Sequence, residues 1–265
     1  MVSIASQPPV DMPSGMSTDA VFQPLHDCGM PNPFFYHEFE DDFDQHISFT
    51  TGNTYTLSGT SATFAQTAGP GGLGVLSTEA VTDEIAQIQV VTPSFTQNIA
   101  PKKLFFETRI EANTNAANSK WVFGLVNSGA AITASTGAVA VTDGIYFLYV
   151  GSTGVLTLNQ ATSSTVSSVT IPAAAYSIAA SFDIAFYQTR LGDILAYIDT
   201  QLVGFVPQSN LGTPNNPQNA GAVARILGTS YTATTANLAP TICTWQSGGT
   251  ASTLTLDFLM ASQER

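Results

Sequence analysis

The stretch KKLFFETRIEAN, residues 102–113, alternates without interruption. Leu104, Phe106, Thr108 and Ile110 fall on one side of an extended chain, and Phe105, Glu107, Arg109 and Glu111 on the other. A period of two is the signature of an antiparallel strand with one face on a core and the other toward solvent. The same pattern recurs along the chain. TYTLSGTSATFAQ sets Tyr55 and Leu57, then Ala62 and Phe64, around a Ser-Gly turn. EIAQIQVV places Ile85, Ile88 and Val90 near the same period, with room for a bulge. SKWVFGLVNS, DGIYFLYVG, GVLTLNQ and STVSSVTI continue the series. FDIAFYQTRLGDILAYIDTQLVGFVP, residues 182–207, reads as a strand–turn–strand–turn–strand meander. TLTLDFLMASQ closes the chain with Leu254, Leu256, Phe258 and Met260 on one side. Roughly twelve short strands, frequent turns, no amphipathic helix beyond two turns and no fixed-period repeat predict an all-β fold, a two-sheet antiparallel sandwich.

Charge divides the chain. The formal net charge is -12, yet no lysine or arginine precedes Lys102. Residues 102–265 are close to neutral, so almost the whole imbalance sits in the front. Nucleic-acid backbones and anionic membrane surfaces are recognised by clustered Lys and Arg, so neither is an expected partner. Only 10% of residues are charged, against about 25% in ordinary soluble domains. A surface of Ser, Thr, Ala, Asn and Gln carries little like-charge repulsion and suits an assembly. The opening MVSIASQPPVDMPSG has no basic start and no apolar run, so no secretory leader is expected. Cys28 and Cys243 are far apart in the chain and have no metal-ligand spacing, which favours two free thiols.

Residues 1–36 carry Pro8, Pro9, Pro13, Pro24, Pro31 and Pro33, which rules out a long helix or a central strand there. The segment reads as an extended, acidic arm, with residues 37–265 as the sandwich domain. Val21, Phe22, Leu25, Phe34, Phe35 and Tyr36 give the arm apolar anchors that a solvated tail would lack. Next comes FYHEFEDDFDQH, residues 35–46, with Glu38, Glu40, Asp41, Asp42 and Asp44. As a strand it sets Phe35, His37 and Phe39 on one side and Tyr36, Glu38 and Glu40 on the other. Two arrangements stay open. The segment is a first strand packed on its own sandwich, or it docks on a basic neighbour by burying its aromatics and offering its acids.

Several chemistries can be tested directly. HEFED starts like a zinc-binding helix, but the residue four beyond His37 is Asp41 rather than histidine. No glycine follows Asp44 as a calcium loop requires. There is no Gly-x-Ser-x-Gly elbow, and His26, Asp27 and Cys28 are chain neighbours that point apart in an extended segment. GPGGLG lacks the Lys-Ser/Thr of a phosphate loop and reads as a turn. Glu107 and Glu111 share a side but lie about 13 Å apart along a strand, with Arg109 between them placed to pair with both. No catalytic residue, metal or cofactor is expected.

KKLFFETRIEA, WVFGLVN, DGIYFLYV and the hairpin running into AYIDTQLVGF (196–205) together resemble the concanavalin A-like, or laminin G-like, jelly roll, with TLTLDFLMASQER similar to that family's last strand. The resemblance covers about residues 45–265 and implies a jelly-roll β-sandwich. Glycosidases of that fold carry Glu-x-Asp-x-(x)-Glu on one strand, whereas ETRIE has arginine where the run needs aspartate. The acidic opening and small polar surface also resemble tailed-bacteriophage virion proteins. That likeness implies a non-enzymatic head decoration or cement subunit, commonly a homotrimer, on the capsid exterior after assembly in the host cytoplasm. Its expected partner is the major capsid protein or another basic virion protein, contacted through Phe22, Phe34, Phe35, Tyr36, Glu38, Glu40, Asp41 and Asp42. The alternative is a carbohydrate-binding, lectin-like or receptor-binding module, for which Trp121, Tyr146, Tyr149 and Trp245 are the candidate platform if they are exposed rather than core.

Overall fold

A computed structural model describes residues 36–43, 54–67, 72–97, 102–114, 116–129, 131–190, 192–207 and 236–265. Two eight-stranded sheets form a sandwich, and every strand pairing in them is antiparallel. Sheet A contains β1 (Tyr36–Asp41), β3 (Thr63–Thr67), β4 (Leu73–Ser77), β7 (Leu104–Thr114), β12 (Phe182–Gln188), β13 (Ile194–Ile198), β14 (Gln201–Val206) and β16 (Thr253–Glu264). Their order is β14-β13-β12-β7-β16-β4-β3, and β1 also pairs with β16. Sheet B contains β2 (Tyr55–Ser58), β5 (Glu84–Val90), β6 (Phe95–Thr96), β8 (Ser119–Asn127), β9 (Gly144–Val150), β10 (Val155–Thr162), β11 (Thr165–Ile171) and β15 (Asn237–Gln246). Its order is β11-β10-β9-β8-β15-β5-β2, with β6 on β15. Helix among the described residues is confined to two short 3-10 turns, Ala116–Asn118 and Ala173–Ala175.

The meander at 182–207 is as the alternation predicts: β12, β13 and β14 are successive neighbours. Its second turn, Asp199-Thr200, has φ of 44° and 69°. Two successive left-handed residues make the tight turn whose twist matches a hairpin. Alternate residues of the two sheets meet in the main core. Phe106 stacks on Phe186 with ring centroids 5.3 Å apart, and Trp121 stacks on Tyr149 at 4.3 Å. Each fully buried aromatic of this kind contributes about 1.5–3 kcal/mol.

Four details depart from the sequence reading. First, β2 and β3, adjacent in TYTLSGTSATFAQ, go to opposite sheets. Gly59 makes the crossing at φ 128°, where an added Cβ would lie 2.1 Å from the Ile85 carbonyl oxygen. Second, β5 pairs with β15 and β2 in continuous register, so EIAQIQVV carries no bulge.

Third, the closing strand does not keep one apolar side. In β16, Leu256 faces Ile110 and Leu259 faces Thr108, so β16 holds one extra residue against β7. A bulge of one residue exchanges the faces of everything beyond it. Leu254, Leu256, Leu259 and Ala261 therefore join the inter-sheet core, whereas Phe258 and Met260 join a second cluster on the outside of sheet A. Buried Thr108 seals the bulge by donating its hydroxyl to the Phe258 carbonyl at 2.7 Å.

Fourth, the Phe105–Glu111 side of β7 is not simply solvent-facing. Phe105 packs with Ala185, Tyr187, Phe258 and Met260, and both Phe105 and Glu107 have 0% exposure. The Thr108 contact is open to a direct test. Thr108→Val keeps the volume and removes the donor, leaving a buried carbonyl unpaired; urea unfolding should show a loss of about 1–3 kcal/mol.

Candidate functional site

The acidic strand β1 runs in register with the second half of β16. His37 faces Gln263, Glu38 faces Ser262, Phe39 faces Ala261, Glu40 faces Met260 and Asp41 faces Leu259. Alternation then sorts its side chains. His37 turns inward, its ring 5.0 Å from that of Phe95 and its Nε2 2.6 Å from the Ser94 hydroxyl. Phe39 sets its ring edge-on to Tyr55 at 5.9 Å and packs on the main core. Asp41 is on this inner side too. It accepts a hydrogen bond from the Tyr55 hydroxyl at 2.8 Å and one from the Phe43 amide at 2.9 Å. Burial and this carboxylate push the Tyr55 phenol well above its ordinary pKa.

Glu38 and Glu40 share the outer side with Met260. Glu38 is half-buried, and Glu40 and Asp42 are exposed. Burial raises the pKa of Glu38, and the charge of Glu40 raises it further, while Arg265 pulls it down. Burial and the charge of Asp42 raise Glu40. Of the residues expected to contact a partner, the structure thus brings Glu38, Glu40 and Asp42 along one strip. It turns Asp41 to the opposite face, and it includes Tyr36 in β1. Phe22, Phe34 and Phe35, with the rest of the expected arm, lie outside the described residues.

The strip continues across sheet A through acids that sequence reading missed. Asp257, at the β16 bulge, is close enough to Asp42 for that charge to raise its pKa, after burial, against the pull of Arg109. Arg109 places Nε 3.9 Å from Asp257 and 3.9 Å from Asp183. It is these two acids that it pairs with, rather than Glu107 and Glu111 as its spacing suggested; Asp183 is its cross-strand partner on β12. The Asp183 amide donates to Asp199 at 2.9 Å, which draws that carboxylate into the row as well. The result is an anionic belt from β1 to the β13–β14 turn, with Arg109 set into it and the charge of Arg265 felt at Glu38. Among the described residues no group of three or more His, Cys, Asp or Glu side chains is arranged to hold a metal ion.

Asp183 is 6% exposed, and its Oδ1 has no hydrogen-bond partner. At 3.9 Å the arginine attracts it without bonding to it. Burial outweighs that attraction, Asp199 and Asp257 add repulsion, and the pKa rises to about 7.

Sheet B offers a different outer face. Residues 131–143 fold back over it, and Trp245 donates its indole N–H to the Ala134 carbonyl at 2.8 Å. Lys120 donates to the Gly137 carbonyl at 2.5 Å and lies 4.9 Å above the Trp245 ring. The four aromatics considered as a sugar platform are all buried. Trp121 and Tyr149 belong to the inter-sheet core, and Tyr146 and Trp245 to the cluster beneath this loop. Cys243, in the same cluster, is a free buried thiol whose pKa burial pushes up to about 12. Cys28 lies outside the described residues.

No protein-family model and no curated protein matches this sequence. Solved structures do match. The carbohydrate recognition domain of Emp47p aligns over 88% of this chain and 99% of its own, with 7% identity and a TM-score of 0.53. The endo-1,3-β-glucanase of Streptomyces sioyaensis aligns over 88% and 98%, with 13% identity and a TM-score of 0.56. The fold is a concanavalin A-like jelly roll. The globular domain of T. cruzi calreticulin shares this jelly roll over 84% of this chain and 86% of its own, at 10% identity and a TM-score of 0.52. At these identities the likeness is one of fold.

The belt makes a pH prediction. The Asp183 carboxyl titrates near 7 in the folded chain, against about 3.9 when unfolded. Between those values the folded state holds a proton that the unfolded state has lost, so stability falls as pH rises through the window. The ceiling is about 1.4 kcal/mol per pH unit. Asp183→Asn should flatten this slope and stabilise the protein more at pH 8 than at pH 4. Melting curves across that range check it, and an unchanged slope would contradict it.

Proposed function

We propose that this chain is a non-enzymatic virion structural protein, a capsid decoration or cement subunit that docks on a basic partner and self-associates as a trimer. The observation that carries the reading is the anionic belt, in which Glu38, Glu40 and Asp42 form the more exposed end and Arg109 links Asp257 to the buried Asp183 beside Asp199. Mutual repulsion in such a row is relieved when a cationic surface covers it. The proposed partner is the major capsid protein or another basic virion protein. Phe22, Phe34, Phe35 and Tyr36 are the proposed anchors of an arm spanning residues 1–36. Exposed ion pairs each add only about 0–1 kcal/mol, so the belt would steer and orient while buried aromatics supply most of the hold. The proposed setting is the capsid exterior, after assembly in the host cytoplasm.

A second reading, a carbohydrate-binding module, is favoured by the jelly roll shared with a carbohydrate recognition domain and by an uncharged groove at the edge of sheet B. The central part of that sheet's outer face is covered by the chain's own loop, which leaves little room there for a sugar.

The assembly reading is tested by co-sedimentation of the purified protein with heads assembled without it. Glu38→Gln, Glu40→Gln and Asp42→Asn combined should weaken binding at least tenfold at low salt, with unchanged circular dichroism, and raised salt should weaken the unaltered protein in the same direction. Equal binding by the variant and the unaltered protein would remove the belt from the account.

A further inference from the structure

The loop at 131–143 leaves one part of the outer face of sheet B open, against edge strand β2. There Thr56 faces Gln89 and Ser58 faces Gln87 in register. These four side chains, with Val91 and Pro93, line a groove of about 290 Å³ whose lining residues are all uncharged.

Its floor is built rather than incidental. Gln87 and Gln89 are 2% and 8% exposed. The Gln87 amide donates to the Gly129 carbonyl at 2.8 Å and accepts from the Ala131 amide at 2.8 Å. The Gln89 amide donates to Thr241 Oγ1 at 2.7 Å and to the Asn127 carbonyl at 3.2 Å, and accepts from the Gly129 amide at 3.2 Å. Both carboxamides are therefore fixed before any ligand arrives, so binding need not order them. Each amide oxygen keeps a second lone pair. Thr56 is exposed and Ser58 half-buried, so their hydroxyls are accessible from solvent at the rim. Val91, 43% exposed, supplies an apolar patch beside them.

We infer that this groove binds the uncharged end of a glycan, one or two sugar rings in size; the inference rests on the second reading above and locates its site. The chemistry selects the class. A wholly apolar ligand would strip water from the Thr56 and Ser58 hydroxyls without replacing its hydrogen bonds. An anionic sugar would find no cation in the groove, on a chain of net charge -12. A neutral sugar offers hydroxyls to the rim hydroxyls of Thr56 and Ser58, over the fixed amide floor, and a C–H face to Val91 and Pro93. The volume stands just below the range for drug-sized small-molecule sites, about 300–1,000 Å³, which limits the occupant to a sugar ring or two.

The test uses the full chain on an array of neutral and sialylated glycans, followed by nuclear magnetic resonance titration with the strongest binder. Binding of neutral glycans alone, with shifts centred on Thr56, Ser58 and Val91, is the expected result. Ser58→Trp fills the groove and should lower affinity at least tenfold with an unchanged melting temperature, while Ser168→Trp, on the exposed side of β11, should leave it unchanged. Glycan binding that survives Ser58→Trp would overturn this site and leave the lectin-like reading standing. No binding by any neutral glycan at millimolar concentration would overturn both, with the assembly reading judged separately by head co-sedimentation. Shifts at β2 produced by an uncharged extended peptide and by no sugar would replace the glycan with strand addition at this edge.

Discussion

One hydrogen bond, from the Thr108 hydroxyl to the Phe258 carbonyl, sits where the organisation of sheet A is decided. It satisfies the backbone at the point where β16 takes in an extra residue. Before that point β16 pairs with β4, and beyond it the same edge pairs with β1, while β7 runs along the other side throughout. The inserted residue turns Leu259 and Ala261 back into the inter-sheet core and puts Phe258 and Met260 outside. It also places Asp257 beside Arg109. Core packing, the second apolar cluster and the position of the acidic strand all follow from that slip.

The acids have an unusual setting for a chain with so few charges. Glu38 and Glu40 are mounted on a strand whose other side is committed to the core through His37, Phe39 and Asp41. Their positions are thus held by burial of their neighbours, with the charge of Arg265 attracting Glu38 alone of the two. The same division applies to Asp183, held by its strand and by Asp199 in a place where its ionised form is poorly solvated. A surface whose charges are fixed and mutually repelling stores electrostatic free energy that an opposite charge can release, which is the physical basis for reading it as a contact face.

Much of the fold was legible because period-two alternation survives in most strands. The meander at 182–207 and the division into two antiparallel sheets follow from it. Faces were harder. SKWVFGLVNS is nearly continuous in apolar residues, the mark of a strand buried on both sides. Trp121 and Val122 accordingly enter different clusters, and exposure of an aromatic there could not be inferred from alternation alone. The reversal within TLTLDFLMASQ depends on a threonine about 150 positions away in the chain, and no local pattern signals it. Asp183, Asp199 and Asp257 join the belt through cross-strand register. In the sequence each is a lone acid between apolar residues or in a turn, so only the pairing of β7 with β12 and β16, together with the Asp183 amide bond to Asp199, shows them as one row.

The central claim is that the acidic segment is a rigid strand of sheet A and not a loose leader. Hydrogen exchange at single-residue resolution addresses it most directly. Because β1 and the 259–264 half of β16 are hydrogen-bonded partners, the bonded amides of residues 37–41 should exchange as slowly as their partners in β16 and lose protection together with them as denaturant is added. Exchange of those β1 amides at the rate of an unstructured peptide, with β16 still protected by β7, would contradict the account.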